Sequence, residues 1–214
     1  LAYQNSTNNY GKFSRGFHGP VSANILILVD GRSILSQVTN INWCQFDVVL
    51  EDIDRIEVIR GPGGAIWGAN AVNGVINILS KSASKTNSGL VSGIVGTQEK
   101  GSVILRQGFN LDDKVDLRIF AKFLARDNSI DLSGDDANDA WDISRAGFRL
   151  DKVINGGDQL TLQGDLYGGN INESFLVTLP PNYFPLEVRE TKTKVNGGNI
   201  LARWQKTISD KSNF

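Results

Sequence analysis

Apolar and polar side chains alternate one by one through most of the chain after residue 89. This is the period of a β-strand with one apolar and one polar face. The pattern predicts six strands of about 9 to 14 residues. They begin near Gly89, Ser102, Lys114, Ala140, Asp158 and Lys194. The apolar rows are Val103, Leu105 and Phe109; Leu117, Ile119, Ala121, Phe123 and Ala125; Ala146, Phe148 and Leu150; Leu160, Leu162 and Leu166; and Ile200, Ala202 and Trp204.

The connections between these strands are short at one end of the sheet and long at the other. Residues 110–113 and 155–157 form turns rich in Asn, Asp and Gly, which predict hairpins. Residues 127–139 and a segment through Pro180-Pro181 are longer loops. That asymmetry is typical of a transmembrane β-barrel, with the short connection 98–101 as an exception. Alternation alone would favour a soluble β-sandwich, which is the alternative.

Residues 50–81 carry a second pattern. Ile56 and Val58 share one parity and are flanked by charged residues, which predicts a half-buried strand. Gly-Pro-Gly-Gly follows at 61–64, where proline fixes φ and glycine accepts positive φ, so the chain must turn sharply. A second strand returns over residues 74–79. The two predicted strands form a compact pair without a nucleophile or a phosphate loop.

Two shorter segments complete the outline of the chain. Residues 25–29, ILILV, have the length of a buried strand, and Asp30-Gly31 after them is a tight-turn signal. Residues 82–89 are small and polar, which predicts a linker. No stretch approaches the roughly 18 to 20 apolar residues of a membrane helix.

Composition excludes several classes of function. The net charge is −1, so no basic surface for nucleic acid is expected. Cys44 is the single cysteine and His18 the single histidine, which argues against an internal disulfide, a zinc site or a Ser-His-Asp triad. The glycines between residues 61 and 68 fit no nucleotide-binding spacing. The aspartates between residues 131 and 139 lack EF-hand spacing, so a solvated loop is favoured over a calcium site. We therefore expect no catalytic residues, no metal site and no cofactor.

Several motifs in a fixed order resemble the plug domain of TonB-dependent outer-membrane receptors. They are RGF (15–17), LVDGR (28–32), LEDIDRIEVIRGP (50–62), WGAN (67–70) and NGVINI (73–78). The resemblance covers about residues 13–83. It implies a mixed α/β plug over residues 1–84, followed over residues 85–214 by the first strands of an antiparallel transmembrane β-barrel, so that the whole is mainly β. A plugged barrel has about 22 strands, so we interpret the chain as the C-terminal part of a plug and the first quarter of its barrel.

The resemblance also implies roles for single residues. The outward tips of the plug touch ligand in this family, which gives as candidates Arg15, Phe17, Gln37, Asn42, Trp43 and Phe46. Packing of Trp43 and Phe46 against the barrel wall is an equal alternative. Residues expected to latch or shape the plug are Glu57, Arg60, Gly61, Pro62, Gly68, Asn70, Asn73 and Gly74. Because buried charges need partners, Glu57 and Arg60 are expected to pair either with barrel carboxylates or locally within the plug.

The implied function is that of a receptor in the outer membrane of a Gram-negative bacterium. It would capture a scarce, bulky solute and admit it by a rearrangement of the plug driven by TonB, whose binding segment lies outside this chain. A ferric siderophore or another iron chelate is the expected ligand. Cobalamin, another metal complex or a glycan are alternatives, as is a binding or signalling protein of the same fold without transport. The expected partners are TonB, the ligand and outer-membrane lipid, with no nucleic acid and no enzymatic activity.

Overall fold

The computed structural model describes residues 25–34, 46–68, 71–131, 133–154, 157–178, 186–209 and 212–213. The chain divides between Lys81 and Ser82 into two compact units. We call residues Asn5–Lys81 the N-terminal unit and residues Ser82–Phe214 the C-terminal unit.

The N-terminal unit is built on a four-stranded sheet. Its strands are β1 (Ile25–Val29), β2 (Arg32–Ser33), β3 (Ile53–Arg60) and β4 (Gly74–Ser80), in the order β2-β1-β4-β3. β1 runs parallel to β4, and the other pairs are antiparallel. One helical turn, α1 (Gly64–Trp67), lies between β3 and β4, and a 3₁₀ turn (Leu50–Asp52) precedes β3. This confirms the predicted mixed α/β unit and its returning strand pair.

Apolar side chains of β1 enter two small cores on opposite faces of this sheet, because successive residues of a strand point to opposite sides. On one face Leu26, Leu28, Ala71 and Val75 are buried, and Trp67 of α1 packs against them. On the other face the buried pair Ile27 and Ile34 is covered by Ile25, Val29, Phe46 and Ile76. The prediction that ILILV is a buried strand is confirmed.

β3 differs from its prediction as a half-buried strand. Ile56 and Val58 do share one face, but their side chains are 54% and 61% exposed. The physical reason is position: β3 is the last strand of its sheet and has a neighbour on one side. The alternation predicted correctly which side chains share a face of β3, but it did not predict how far they are buried.

Tight turns occur where glycine or aspartate was predicted to provide them. Asp30 and Gly31 have φ of 50° and 81°, and they connect paired residues Val29 and Arg32. Positive φ at both positions is the type I′ geometry of a two-residue hairpin. Gly61 has φ of 100° directly after β3, which confirms the sharp turn before Pro62.

The C-terminal unit contains the six predicted strands as one antiparallel sheet in the order β10-β9-β8-β7-β6-β5. They are β5 (Leu90–Ile94), β6 (Glu99–Asp112), β7 (Val115–Arg126), β8 (Trp141–Val153), β9 (Gln159–Thr178) and β10 (Leu186–Gln205). Each strand pairs with the next along the chain, which confirms the meander. A small ladder joins β11 (Thr207–Ser209) and β12 (Ser212–Asn213).

The last two long strands exceed their predicted lengths. β9 and β10 have 20 residues each, and β10 begins at Leu186 rather than near Lys194. Residues 169–178 of β9 and 186–195 of β10 lie beyond the predicted apolar rows, yet the two strands pair in continuous register from Leu186↔Thr178 to Gln205↔Gln159. Backbone hydrogen bonds between neighbouring strands extend the ladder there without an apolar row, and the sequence pattern misses such pairing.

On the six-stranded sheet, many apolar side chains are exposed and several charged side chains are buried. On the apolar face, Leu166, Ile200 and Trp204 are 72%, 72% and 62% exposed. On the polar face, Arg118, Lys122 and Arg145 are 4%, 8% and 8% exposed. Soluble proteins bury apolar side chains and expose charged ones, so this inversion argues against the soluble β-sandwich. No helix among the described residues is long and apolar enough to span a membrane.

Candidate functional site

A polar network lies beneath the hairpin that joins β1 and β2. The Asp30 side chain is buried, and its Oδ1 and Oδ2 accept hydrogen bonds from the backbone N–H and the Oγ of Ser80, both at 2.8 Å. The Asp30 N–H donates to the Ile78 carbonyl at 2.8 Å. The hairpin is thereby held on the end of β4.

The network continues across the sheet through Asn77. Its Oδ1 accepts from the Gly31 N–H at 3.3 Å, and its Nδ2 donates to Glu57 Oε2 at 3.3 Å. Glu57 Oε1 accepts from Arg55 Nε at 2.9 Å, and Arg55 also bonds Asp54. The hydrogen bond that Arg55 donates to Glu57 raises the pKa of the Arg55 guanidinium. We call Asp30, Asn77, Ser80, Glu57 and Arg55 the turn network.

The turn network fixes geometry rather than providing reactive groups. Asp30 and Glu57 accept hydrogen bonds from neighbouring groups of the same sheet, and its single basic side chain is ion-paired with Glu57. Among the described residues no group of three or more His, Cys, Asp or Glu side chains is placed to hold a metal ion. The network therefore joins two strands, β3 and β4, to the β1–β2 hairpin.

Glu57 and Arg60, the two charged residues expected to latch the plug, have different surroundings in the structure. Glu57 takes the local alternative, because it pairs with Arg55 of its own strand. Arg60 is exposed at the end of β3 in the part of the protein that this chain covers, and its pairing with a barrel carboxylate stays a prediction. That Arg60→Ala opens the full-length protein to small solutes, detected as conductance or antibiotic leak, stays a prediction.

The remaining predicted shaping residues cluster at the β3–α1–β4 connection. The Gly61 N–H donates to the Asn73 carbonyl at 3.2 Å, and Pro62 after it is exposed. Gly68 has φ of 91° and ends α1. A Cβ at Gly74 would lie 2.6 Å from the Ile59 carbonyl oxygen, so the backbones of β3 and β4 approach closely there. Asn73 Nδ2 is buried without a hydrogen-bond partner in the described part of the chain.

Most of the predicted ligand contacts lie outside the described residues, namely Arg15, Phe17, Gln37, Asn42 and Trp43, as does the shaping residue Asn70. Phe46 is half-buried against the Ile27–Ile34 core of the N-terminal unit. This contact agrees with a packing role for Phe46, and its contact with ligand stays a prediction.

The polar face of the C-terminal unit carries its own ion pairs. Arg145 forms an ion pair with Asp165 on the neighbouring strand and lies over the Tyr167 ring, 4.9 Å from its centroid. Arg149 Nε donates to Asp151 Oδ2 at 2.8 Å. Because Lys122 faces Arg145 and Arg118 faces Arg149 across the β7–β8 ladder, these carboxylates offset repulsion between like charges.

The acidic loop between β7 and β8 is organised by its own carboxylates. Asp139 is buried and accepts from the N–H and Oγ of Ser129 at 2.7 and 2.8 Å. Asp131 Oδ1 accepts from the N–H groups of Ser133 and Asp135. Asp127 is paired with Lys100, whose hydrogen bond lowers the pKa of Asp127. Residues 131 and 133–136 are exposed, which agrees with the expected solvated loop, whereas Asp139 is buried beside it.

The sequence analysis missed the roles of Asp30, Asn77, Ser80 and Asp151. One signal was present for Asn77, which is a polar residue at a buried position inside the apolar run of β4. Buried amides need partners, so that position predicts a local network. Ser80 and Asp151 carry no comparable signal, since Ser80 only ends the apolar run of β4 and Asp151 follows the alternation of β8.

Residues 2–75 match the family described as TonB-dependent Receptor Plug Domain. The chain is 41% identical over 80 residues to a vitamin B12 transporter BtuB of Vibrio vulnificus, covering 37% of this chain and 12% of that protein. It is 34% identical over 107 residues to a ferric enterobactin receptor of Pseudomonas aeruginosa, covering 41% of this chain and 14% of that protein. The chain thus spans less than a fifth of the length of these relatives.

A solved structure supports the fold of a larger part of the chain. The FrpB iron transporter of Neisseria meningitidis superposes with a TM-score of 0.55 at 13% identity. The match covers 90% of this chain and 38% of that one. The likeness therefore reaches beyond the plug match into the six-stranded sheet and shows that the two structures share a fold there.

Proposed function

Because residues 2–75 belong to the plug-domain family of TonB-dependent receptors, we propose that the protein is an outer-membrane transport receptor. In this proposal the N-terminal unit belongs to its plug, and the C-terminal unit supplies strands of its membrane-spanning barrel. The whole protein captures a scarce, bulky solute outside the cell and admits it when TonB rearranges the plug. No enzymatic step is part of this function.

The observation that carries this proposal is the inverted six-stranded sheet behind the plug sequence. Its exposed apolar face includes Val103, Phe123, Leu166 and Ile200. A lipid-facing apolar band opposite a polar interior is the arrangement of transmembrane barrels. Exposed to water, an apolar surface of this extent favours aggregation, whereas hydrocarbon accommodates it without cost.

A ferric siderophore or a similar iron chelate is the proposed ligand. The relative from Pseudomonas aeruginosa is a ferric enterobactin receptor, which supports this class. Cobalamin is the second candidate, since the relative from Vibrio vulnificus is a vitamin B12 transporter and has the higher identity over a shorter match. Both ligands are too bulky for passive diffusion through ordinary pores, as the proposed active mechanism requires.

Uptake measurements test the function and separate the two ligands. A strain lacking the gene is compared with the same strain carrying it, using iron-55 siderophores of the catecholate and hydroxamate classes and cobalt-57 cobalamin. Each assay is repeated without TonB. The proposal expects gene-dependent and TonB-dependent uptake of one of these solutes, and iron-siderophore uptake without cobalamin uptake supports the first candidate.

Two outcomes would contradict the proposal in different ways. Tight binding to whole cells without uptake would favour a binding or signalling receptor of the same fold. Uptake that persists without TonB would contradict active transport by this mechanism.

A further inference from the structure

Residues 82–87 are bound to the sheet of the C-terminal unit, although their composition predicts a linker. They contain a 3₁₀ turn (Ala83–Thr86) in which Ala83 is fully buried and Thr86 almost so. Within the turn, Lys85 N–H donates to the Ser82 carbonyl at 3.2 Å and Thr86 Oγ1 to the Ala83 carbonyl at 2.9 Å. Burial of this kind is not expected of a freely moving linker.

The turn is attached to the sheet through one carboxylate. Asp151 Oδ2, on β8, accepts from the Ala83 N–H at 2.7 Å. The same carboxylate accepts from Arg149 Nε at 2.8 Å and from Thr161 Oγ1 at 2.6 Å. Two neighbouring strands therefore hold the acceptor in place, and the N–H to carboxylate bond is of the strong, charge-assisted kind.

Two further contacts fix the end of the segment. Asn87 Nδ2 donates to Asp116 Oδ1 on β7 at 3.0 Å. Gly108 of β6 lies directly under the turn: a Cβ there would overlap the Thr86 carbonyl oxygen and lie 2.7 Å from Asn87 Cα. The segment is thus held on three successive strands of one sheet.

The chain just before this segment is bound to the N-terminal unit instead. The Lys81 N–H donates to the Asp52 carbonyl at 2.8 Å, and Lys81 Nζ donates to the Glu51 carbonyl at 2.7 Å. Only Ser82 separates this residue from Ala83. Ser82 has φ of −59° and ψ of 155°, an extended conformation outside the 3₁₀ turn.

We infer that the Asp151–Ala83 contact is a fixed anchor and that Ser82 is a single-residue joint between the two units. The anchor keeps residues 83–87 on the sheet while the N-terminal unit opens or moves. One consequence rests on the proposed function: a plug displaced during uptake turns at Ser82 and leaves residues 83–87 behind. The anchor itself does not depend on transport, and its test does not either.

Residue-resolved amide hydrogen exchange of the full-length protein in detergent micelles tests this arrangement. In Asp151→Ala we expect the Ala83 amide to exchange about tenfold faster or more, because a charge-assisted hydrogen bond is lost. The Lys81 amide, held by the other unit, should keep its parental rate. Asp142→Ala is the matched control, since Asp142 is a carboxylate of the same strand that bonds Asn170 and not the turn.

Asp151→Asn guards against a variant that fails to fold. It retains the side-chain shape and one acceptor oxygen, so the Ala83 amide should exchange at a rate between those of the parent and Asp151→Ala. An Ala83 rate unchanged in both variants would overturn the anchor. A Lys81 rate that rises together with that of Ala83 would overturn the joint, because the two sides would then open as one unit. Neither result depends on whether the protein transports a ligand.

Discussion

Replacement of Asp30 by alanine should loosen the N-terminal unit more than any exposed carboxylate replacement in it. The change removes two hydrogen bonds, from the backbone N–H and from the Oγ of Ser80 to the Asp30 carboxylate. Loss of hydrogen bonds to a charged acceptor costs about 1 to 3 kcal/mol. Asp30 also has φ of 50°, and alanine in that region adds about 1 kcal/mol. The expected loss is therefore about 2 to 4 kcal/mol.

Amide hydrogen exchange of β4 in the full-length protein measures this loss. Since each 1.4 kcal/mol is a factor of ten, exchange through opening of the unit should accelerate about 30-fold to 1,000-fold. Asp30→Asn keeps an acceptor oxygen and tolerates positive φ, so its effect should be about 1 kcal/mol. Asp54→Ala is the control, because its exposed ion pair with Arg55 is worth about 1 kcal/mol or less. Equal effects of Asp30→Ala and Asp54→Ala would refute the role given to the turn network.

Three further predictions concern the remaining parts of the structure. Leu162→Arg should destabilise the membrane-inserted protein by about 2 to 4 kcal/mol in chemical unfolding and Gln163→Arg by much less, and equal effects would mean that the assigned faces are wrong. Gly74→Ala should cost about 1 to 3 kcal/mol, measured by exchange of β3 and β4, because its Cβ would meet the facing carbonyl of β3 at 2.6 Å. Asp127 has a lowered pKa in the folded loop, so its contribution to stability is present above the unfolded pKa and is lost as pH falls through the folded one. Lys100→Gln should return this pKa toward its usual value in an NMR titration, and an unchanged pKa would contradict the ion pair.

Local chemistry in the sequence was sufficient for much of the fold. The type I′ turn at Asp30-Gly31 and the sharp turn at Gly61 follow from residues that tolerate positive φ. The apolar rows on β6, β7 and β8 gave the correct parity, because a one-residue shift would exchange the two faces of the sheet. These features depend on backbone geometry and on periodicity, and both are encoded within a few residues.

The burial of charged residues could not be obtained in the same way. Arg60 and Asp30 are both charged residues at strand ends next to glycine, yet one is exposed and the other buried. The difference arises because β3 is an edge strand, whereas Asp30 lies above the end of β4, 50 residues further along the chain. Sequence spacing contains no information about which distant backbone group will meet a carboxylate.

The sequence alone determined the meander order of the six-stranded sheet, the tight turns at Asp30-Gly31 and Gly61, and the chemical character of each face of the six-stranded sheet. The tertiary structure alone decided that Asp30 binds Ser80, that Asn77 joins Gly31 to Glu57, and that Asp151 holds the backbone of Ala83. The physical reason is how far apart the interacting residues lie along the chain. Turns and alternation arise from interactions between near neighbours, whereas these polar contacts join residues 20 to 68 positions apart and exist only after the sheets have formed.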